Sequence, residues 1–547
     1  MTFPDREVID AILGICKFGA RIGYEGERNS ITIHKNLTSA LENPDLVTKD
    51  IETELEKNRL EYYPNLNSLP RDFVASPLGL TDKSDGSKRR IHHLSFPTNK
   101  ESSINSQIPE QYGTIVYGTV SEAIAAIQNF GQGCQLVKWD LESAFRHIPV
   151  SPLDRPLLGL KWESRYYAER YLPFGLRTAP YLFNLFAEIF HWILADQFSI
   201  TKMPVEIVHY LDDFLIVLPP DGNLTTYSQK FAQLCSIVGL SIKEAKSEEG
   251  TISTFGGIEL DSEKMIIRLP ERKLYKAKNL VQEAISNNSL SLFELQRLTG
   301  YLNFVSIVTP LGRAFLRRLY NMQIYFPGGG NQCRKRISSE AKKDLNWWLR
   351  ALNNVPERSI KHLERERVLV WMDASGTKGL GGFYMEECRH RASGERIERT
   401  IGCTCINEPK QGAAFSISIP RHIARQHQHI NTKEMHVVEQ ALLYWGRKWS
   451  RKRVIMHIDN QAVVHALKNQ TIRYATMTVL RRCLLLATEY DLEFEARWIP
   501  TSDNALANGL SRFNYEKVTN VAPQLIYPTC TLRDRGFLMY SKPHYLP

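Results

Sequence analysis

The sequence predicts a multidomain α+β chain, and three observations carry that prediction. Short apolar runs rich in Val, Ile and aromatic residues stop on carboxylates at Asp140, Asp212, Asp373 and Asp459. Segments with helical apolar spacing separate them, such as Leu292, Leu295, Leu298, Leu302 and Val305. Strands that end on acids recur from Val368 onward, so a second domain is expected to begin there within the 547 residues.

Bulk composition narrows the partners. Hydrophobic content of 43% and charged content of 23% are ordinary globular values, while the net charge of +10 favours a polyanion. The basic residues fall in small clusters, Lys88-Arg89-Arg90, Arg317-Arg318 and Lys448 to Arg453, which suits a basic groove on a folded surface. Nine cysteines without a CxxC pair read as a reduced, intracellular set. Cys388, His390, Cys403 and Cys405 invite a zinc site, but their spacing matches no standard finger. The polar start is no signal peptide, and no apolar run reaches spanning length, so no membrane partner is expected.

Taken in order, residues 1–62 read as helices with loops, from Val8, Ile12 and Ile15 and from the Glu- and Lys-rich Leu46 to Leu60. Phe73 to Leu80 and Ile91 onward read as two strands around Lys83 to Arg90, a turn crowded with cations. Such a turn is either a solvated hairpin tip or a flap that closes on phosphates, for which Arg is suited by its planar fork. Gln135 to Asp140 is a strand ending on an acid, followed by a helix-like turn through Phe145. Leu172-Pro173-Phe174-Gly175 is a turn in which Gly175 would let backbone approach a flat ligand.

Val208 to Val217 is the stretch around which the first domain is organised. Asp212 and Asp213 interrupt two β-favouring runs, which predicts a buried hairpin. Two adjacent carboxylates there repel and lose hydration, a conflict that a divalent cation removes. With Asp140 they supply the three carboxylates that two-metal nucleotidyl transfer requires.

The ordered set, from the basic flap through Asp140…Phe145, Leu172 to Gly175, Tyr210-Leu211-Asp212-Asp213, Gly239-Leu240 with Lys246, to Phe255-Gly256-Gly257, resembles the reverse transcriptases of retroelements. The long-terminal-repeat and DIRS-like tyrosine-recombinase retrotransposons are the suggested type. The resemblance implies an α+β right-hand polymerase of fingers, palm and thumb. Within it Asp140, Asp212 and Asp213 would hold the metals. Phe145 would stack under the incoming sugar and exclude a 2′-hydroxyl, and Lys246 would protonate pyrophosphate. Lys83, Arg89, Arg90, Phe174, Gly175 and Tyr210 would bind the nucleotide. In the thumb, Gly300, Tyr301, Arg313 and Arg317 would meet the duplex. Two departures stand out: Arg90 replaces a usual apolar residue, and His93 a frequent Asp.

From Val368 the order resembles ribonuclease H, an α/β domain with a mixed sheet. Asp373, Glu434 and Asp459 match three metal ligands, with Glu439 a weaker rival to Glu434. The fourth position, usually Asp, is Asn508, which keeps an oxygen and loses the charge; Asp503 nearby reads as a helix cap. The expected divisions are an N-terminal helical extension (1–62), fingers and palm (63–265), thumb (266–325), connection (326–365), ribonuclease H-like domain (366–513) and tail (514–547).

The expected activity is RNA- and DNA-templated DNA synthesis with hybrid RNA cleavage weakened by Asn508. It would use two Mg²⁺ (or Mn²⁺) per active site, an RNA template, a DNA primer, RNA–DNA hybrid and dNTPs, in a cytoplasmic particle or the nucleus. A host-adopted or viral polymerase on another template, and an inactive nucleic-acid-binding protein, are the alternatives.

Overall fold

The computed structural model describes residues 5–82, 86–98, 102–115, 118–242, 248–326, 333–361, 364–386, 388–389, 396–397, 412–420, 429–473 and 475–516. Its contacts divide the chain into two units, Met1–Pro270 with Ser359–Lys361, and Glu271–Arg358 with His362–Pro547. The zinc hypothesis falls outside the described side chains, as do Lys83 and Lys246. No helix among the described residues is long and apolar enough to cross a membrane.

The first unit is built on a four-stranded antiparallel sheet in the order Glu248–Gly250, Gln135–Asp140, Asp213–Leu218, Glu206–Tyr210. Leu136, Val137 and Trp139 on one central strand and Phe214 to Leu218 on the other are buried, which is why the second run is apolar throughout after Asp213. Helices Ala179–Ile200 and Leu224–Val238 back the sheet. Trp139 stacks on Phe231 at 3.8 Å, and Phe190 meets Phe214 and Phe231 edge-on at 5.5 and 5.7 Å.

Beside it lies a five-stranded sheet in the order Thr32–Ile33, Val74–Ala75, Gly159–Trp162, Arg165–Glu169, Leu60–Tyr63. The first 62 residues form the helices Arg6–Phe18 and Pro44–Glu56, whose Ile12, Ile15, Val47 and Ile51 are buried as their spacing predicts. They also supply Thr32–Ile33 and Leu60–Tyr63, the two edge strands of this sheet. The expected flap is a hairpin of Leu78–Asp82 and Lys88–His92, with Thr81 opposite Arg89 and Leu80 opposite Arg90.

The second unit opens with helices Glu271–Asn287, Leu292–Val305, Arg317–Gln323 and Ser339–Asn353. Ser291 and Glu294 form a capping box at the start of Leu292–Val305, whose Leu295, Leu298, Leu302 and Val305 are buried. The segment read as a connection contains the helix Ser339–Asn353. Arg481, on helix Thr476–Glu489, reaches Asp344 of that helix at 2.8 Å and the Ala314 carbonyl at 2.8 and 2.9 Å. Arg318 takes the other Asp344 oxygen at 2.7 Å.

A five-stranded sheet follows, ordered Gly412–Ser418, Gly379–Glu386, Arg367–Ala374, Arg453–Ile458, Glu493–Trp498. Gly379–Glu386 runs antiparallel both to the central Arg367–Ala374 and to Gly412–Ser418, and the last two strands lie parallel to the central one. Helices Ile430–Trp445 and Thr476–Glu489 pack on it through Met435, Val438, Leu442, Leu480 and Leu484. This mixed α/β sheet is the ribonuclease H-like arrangement. With the palm-type sheet of the first unit, it gives the fold class the sequence predicted.

Candidate active sites

Strand register assembles the first site. Asp140 and Asp213 stand directly opposite one another on neighbouring strands, so their side chains share a face. Asp213 also pairs with Tyr210, leaving Leu211 and Asp212 as the two-residue turn between them. Leu211 takes φ +54°, a left-handed conformation that costs a non-glycine residue energy. The Asp212 carbonyl accepts from the Leu141 N–H at 3.2 Å, which brings the turn against the end of the Asp140 strand.

The electrostatics follow from that placement. Asp140 is 9% exposed. Burial, with the negative charges of Asp140 and Asp213, pushes the Asp212 carboxyl up to about 6. Lys138, two residues before Asp140 on the same face, brings its ammonium to 3.5 Å from Asp213. A hard divalent cation fits this donor set because it would relieve the repulsion that raises Asp212.

Asp140 and Asp212 line a cavity of about 410 Å³ together with Phe145, Phe174, Arg89 and Arg90. Phe145 packs on Phe174 and Phe183 at 5.2 and 5.9 Å between ring centres. The Arg89 guanidinium sits 5.1 Å over the Phe174 ring. Gly175 has φ +100°, and a Cβ there would come within 2.6 Å of the His92 carbonyl. Asn105 fixes this turn, donating to the Gly175 carbonyl and accepting from the Arg177 N–H, both at 2.8 Å. Tyr210, at the strand end beside the aspartates, is 40% exposed.

Strand alternation separates the two flap arginines that the sequence treated alike. Arg89 faces outward, whereas the Arg90 side chain is 5% exposed and bonded to Asp50 and, at 3.4 Å, to Glu169. Arg146 holds the other Glu169 oxygen at 2.6 Å and Glu54 at 3.2 Å. Burial opposes ionisation of Glu169, but Arg146 and Arg90 outweigh it and bring the carboxyl down to about 2. Arg90 borders the cavity, yet its guanidinium ties the flap to the helix Pro44–Glu56. That network accounts for an arginine where the resemblance expects an apolar residue. Asp50, Glu54, Arg146 and Glu169 were not legible beforehand, because nothing in their spacing joins them.

The second site gathers three more carboxylates. Asp373 lies at the end of the central strand, one residue before its last, Glu434 lies on helix Ile430–Trp445, and Asp459 follows strand Arg453–Ile458. One oxygen from each lies within 4.8 Å of the others. Glu434 Oε1 accepts from the Ala374 N–H at 3.2 Å, while its Oε2 is buried without a hydrogen-bond partner. Burial, with the charge of Asp373, pushes Glu434 well above the usual carboxylate range. An orphaned buried oxygen among acids is a donor set a divalent cation would complete.

Glu439 is not part of this set. It binds His436 at 2.8 Å and Arg482 at 3.1 Å; these contacts outweigh burial and hold it below its ordinary value. Asp503 is exposed and accepts the Ser502 hydroxyl at 3.1 Å. Asn508 Oδ1 accepts from Arg512, whose guanidinium also lies 3.5 Å from Asp373 Oδ2. Ser511 donates its hydroxyl to the same Asp373 oxygen. Ser511 and Arg512 close the same sequence stretch that carries Asn508, but sequence reasoning gave them no role.

The helical residues expected to meet a duplex are spread more widely. Gly300 is exposed with open space around it. Tyr301 donates to the Lys273 carbonyl at 3.0 Å and carries Lys276 over its ring at 5.0 Å. Arg313 is exposed, and Arg317 lines a cavity of about 730 Å³ with His429, Asn431, Thr432 and Arg473.

Residues 83–277 match the family model described as reverse transcriptase (RNA-dependent DNA polymerase), and this segment is a reverse transcriptase domain. Protein P of heron hepatitis B virus is 23% identical over 189 residues, which cover 35% of this chain and 23% of that protein. The genome polyprotein of Petunia vein clearing virus is 21% identical over 389 residues, covering 69% of this chain and 15% of the polyprotein. The chain thus spans less than a quarter of these curated relatives. Among solved structures, the foamy viral protease–reverse transcriptase in complex with double-stranded DNA gives a TM-score of 0.47 at 17% identity, over 90% of this chain and 77% of that one.

Proposed function

We propose that the chain is a reverse transcriptase that copies RNA and DNA templates into DNA and cleaves the RNA of the resulting hybrid. One observation carries the reading: Asp140 and Asp212 share a single cavity with Arg89 and Phe145, inside the segment that matches the polymerase family. Asp140, Asp212 and Asp213 would hold two Mg²⁺ (or Mn²⁺), which would supply activation of the primer 3′-hydroxyl and charge neutralisation at the leaving pyrophosphate. Arg89 pairs with triphosphate oxygens, and Phe145, propped by Phe174 and Phe183, walls off a 2′-hydroxyl. Lys246 enters as pyrophosphate acid on its place in the motif order. Asp373, Glu434 and Asp459 serve cleavage of hybrid RNA.

The partners on this reading are an RNA template, a DNA primer, RNA–DNA hybrid and dNTPs. The retroelement type, long-terminal-repeat or DIRS-like, rests on the order of the sequence motifs, and the relatives above are viral. Cys16, Cys134, Cys235, Cys333 and Cys483 are free thiols, which supports an intracellular setting, a cytoplasmic particle or the nucleus. Primer extension on RNA and DNA templates tests the polymerase. Mg²⁺-dependent extension is expected on both, and primer–template affinity should fall steeply with salt as the basic surface releases counterions. Affinity flat against salt, with no extension, would leave the chain without this function.

A further inference from the structure

We propose that Arg512 takes the place of one of the two metal ions in the C-terminal site, so that this site works with a single divalent cation held by Asp373, Glu434 and Asp459. The inference rests on the ribonuclease reading above and concerns how that site is charged. Asp373 Oδ2 receives the Ser511 hydroxyl and has the Arg512 guanidinium at 3.5 Å. The same Arg512 nitrogen bonds to the Asn508 side-chain oxygen and, at 3.1 Å, to the Asn508 carbonyl. The space between Asp373 and position 508, where a cation shared by those two residues would sit, therefore already holds a positive group.

Backbone packing seats the helix that leads into Arg512. Gly381 lies directly opposite Asp373 in the sheet ladder. A Cβ on Gly381 would come within 2.4 Å of the Ser511 nitrogen. Helix Ala505–Ser511 therefore seats directly on the strand. Asn508, Ser511 and Arg512, at positions i, i+3 and i+4, then share one face, from which Ser511 and Arg512 reach Asp373.

Charge balance points the same way. Three ionised carboxylates are neutralised by one divalent cation and one guanidinium. A second divalent ion would leave excess positive charge beside a neutral amide at position 508. An opening for an ion remains, because the buried Glu434 Oε2 has no hydrogen-bond partner among the described residues. Arg512 is thus a positioning residue: it orients and neutralises Asp373 and leaves the reacting phosphate to the single ion. Asn508→Asp does not by itself recreate a second metal site, because Arg512 pairs with the new carboxylate.

The test counts bound Mn²⁺ by electron paramagnetic resonance and calorimetry on the full chain carrying Asp140→Asn and Asp212→Asn, which disables the first site. One ion per chain is expected, lost with Asp459→Asn and unchanged by Asn508→Asp. Asn508→Asp combined with Arg512→Gln should bind two. Two ions in the parent chain, or in Asn508→Asp alone, would overturn the inference. No ion in the parent, together with no hybrid cleavage by the unmodified chain, would remove the ribonuclease reading and this inference with it. Thermal unfolding supplies a second readout. In EDTA, Arg512→Gln should lower Tm, and Mn²⁺ should restore it. A loss that Mn²⁺ does not restore would mean that Arg512 is only a structural tie.

Discussion

The two acidic sites start from the same device, carboxylates at the ends of strands, and handle their charge differently. In the palm-type sheet the acids sit at a hairpin turn. Lys138 reaches Asp213, and burial with the neighbouring charges leaves the Asp212 carboxyl raised to about 6. In the C-terminal domain the acids converge within 4.8 Å, and a guanidinium and a hydroxyl are already bonded to Asp373. The contrast teaches that counting carboxylates does not count cations. What decides is which positive groups the surrounding fold delivers to the same oxygens.

The largest effect expected is a double dissociation. Asp212→Asn should lower DNA synthesis by about 10³-fold or more, from several kcal/mol of lost charge stabilisation, and spare hybrid cleavage. Asp373→Asn should do the reverse. Loss of both activities in either variant would break the comparison, because it would make the two sites one functional unit.

The flap arginines give a sharper contrast on a smaller scale. Arg90→Ala should destabilise the chain by about 3–5 kcal/mol in urea unfolding, since it leaves the fully buried Glu169 short of a partner. Arg89→Ala should change stability by less than about 0.5 kcal/mol and instead raise KM for dNTPs. If the two variants behave alike, strand alternation is not what assigns their roles.

Phe145→Ala should raise the ratio of ribonucleotide to deoxynucleotide incorporation by about tenfold or more, the scale at which a pocket wall discriminates. An unchanged ratio would show that the Phe145–Phe174–Phe183 cluster supports the cavity without gating it.

The smallest effect is a pH dependence that Asp212 brings to the palm. The Asp212 carboxyl is raised from 3.8 to about 6 in the fold, so its protonated form favours folding. Its contribution is full below about pH 4 and is lost as pH rises through 6. In metal-free unfolding, Asp212→Asn should therefore gain stability over the parent as pH rises from 4 to 6, and Mg²⁺ should close that gap. A gap that is constant across this range would contradict the charge assignment.

Much of this was legible in the sequence because strand-ending acids and apolar periodicity are local signals. The Asp212–Asp213 hairpin and the Leu292–Val305 helix can be read from residue type and spacing, and the Asp373–Glu434–Asp459 set from the resemblance of the motif order to ribonuclease H. The network Asp50–Arg90–Glu169–Arg146 was not, because it joins four segments whose only common property is ordinary surface-like charge. Arg90 and Arg89 are indistinguishable by composition; only the face of the strand separates them. The edge strands Thr32–Ile33 and Leu60–Tyr63 are too short to show a period and are defined by partners more than a hundred residues away or by a two-residue pairing. Arg512 escaped because its role depends on helix Ala505–Ser511 meeting Gly381, a contact that no local pattern encodes.

The central claim, two independent acidic sites with two chemistries, is tested most directly in one reaction. An RNA template and a DNA primer carrying different labels are incubated with dNTPs and Mg²⁺, and both strands are followed for the unmodified chain, Asp212→Asn and Asp373→Asn. The account predicts extension with RNA cleavage in the first, cleavage of the preformed hybrid without extension in the second, and full-length DNA on uncut RNA in the third. Undiminished extension by Asp212→Asn would contradict it.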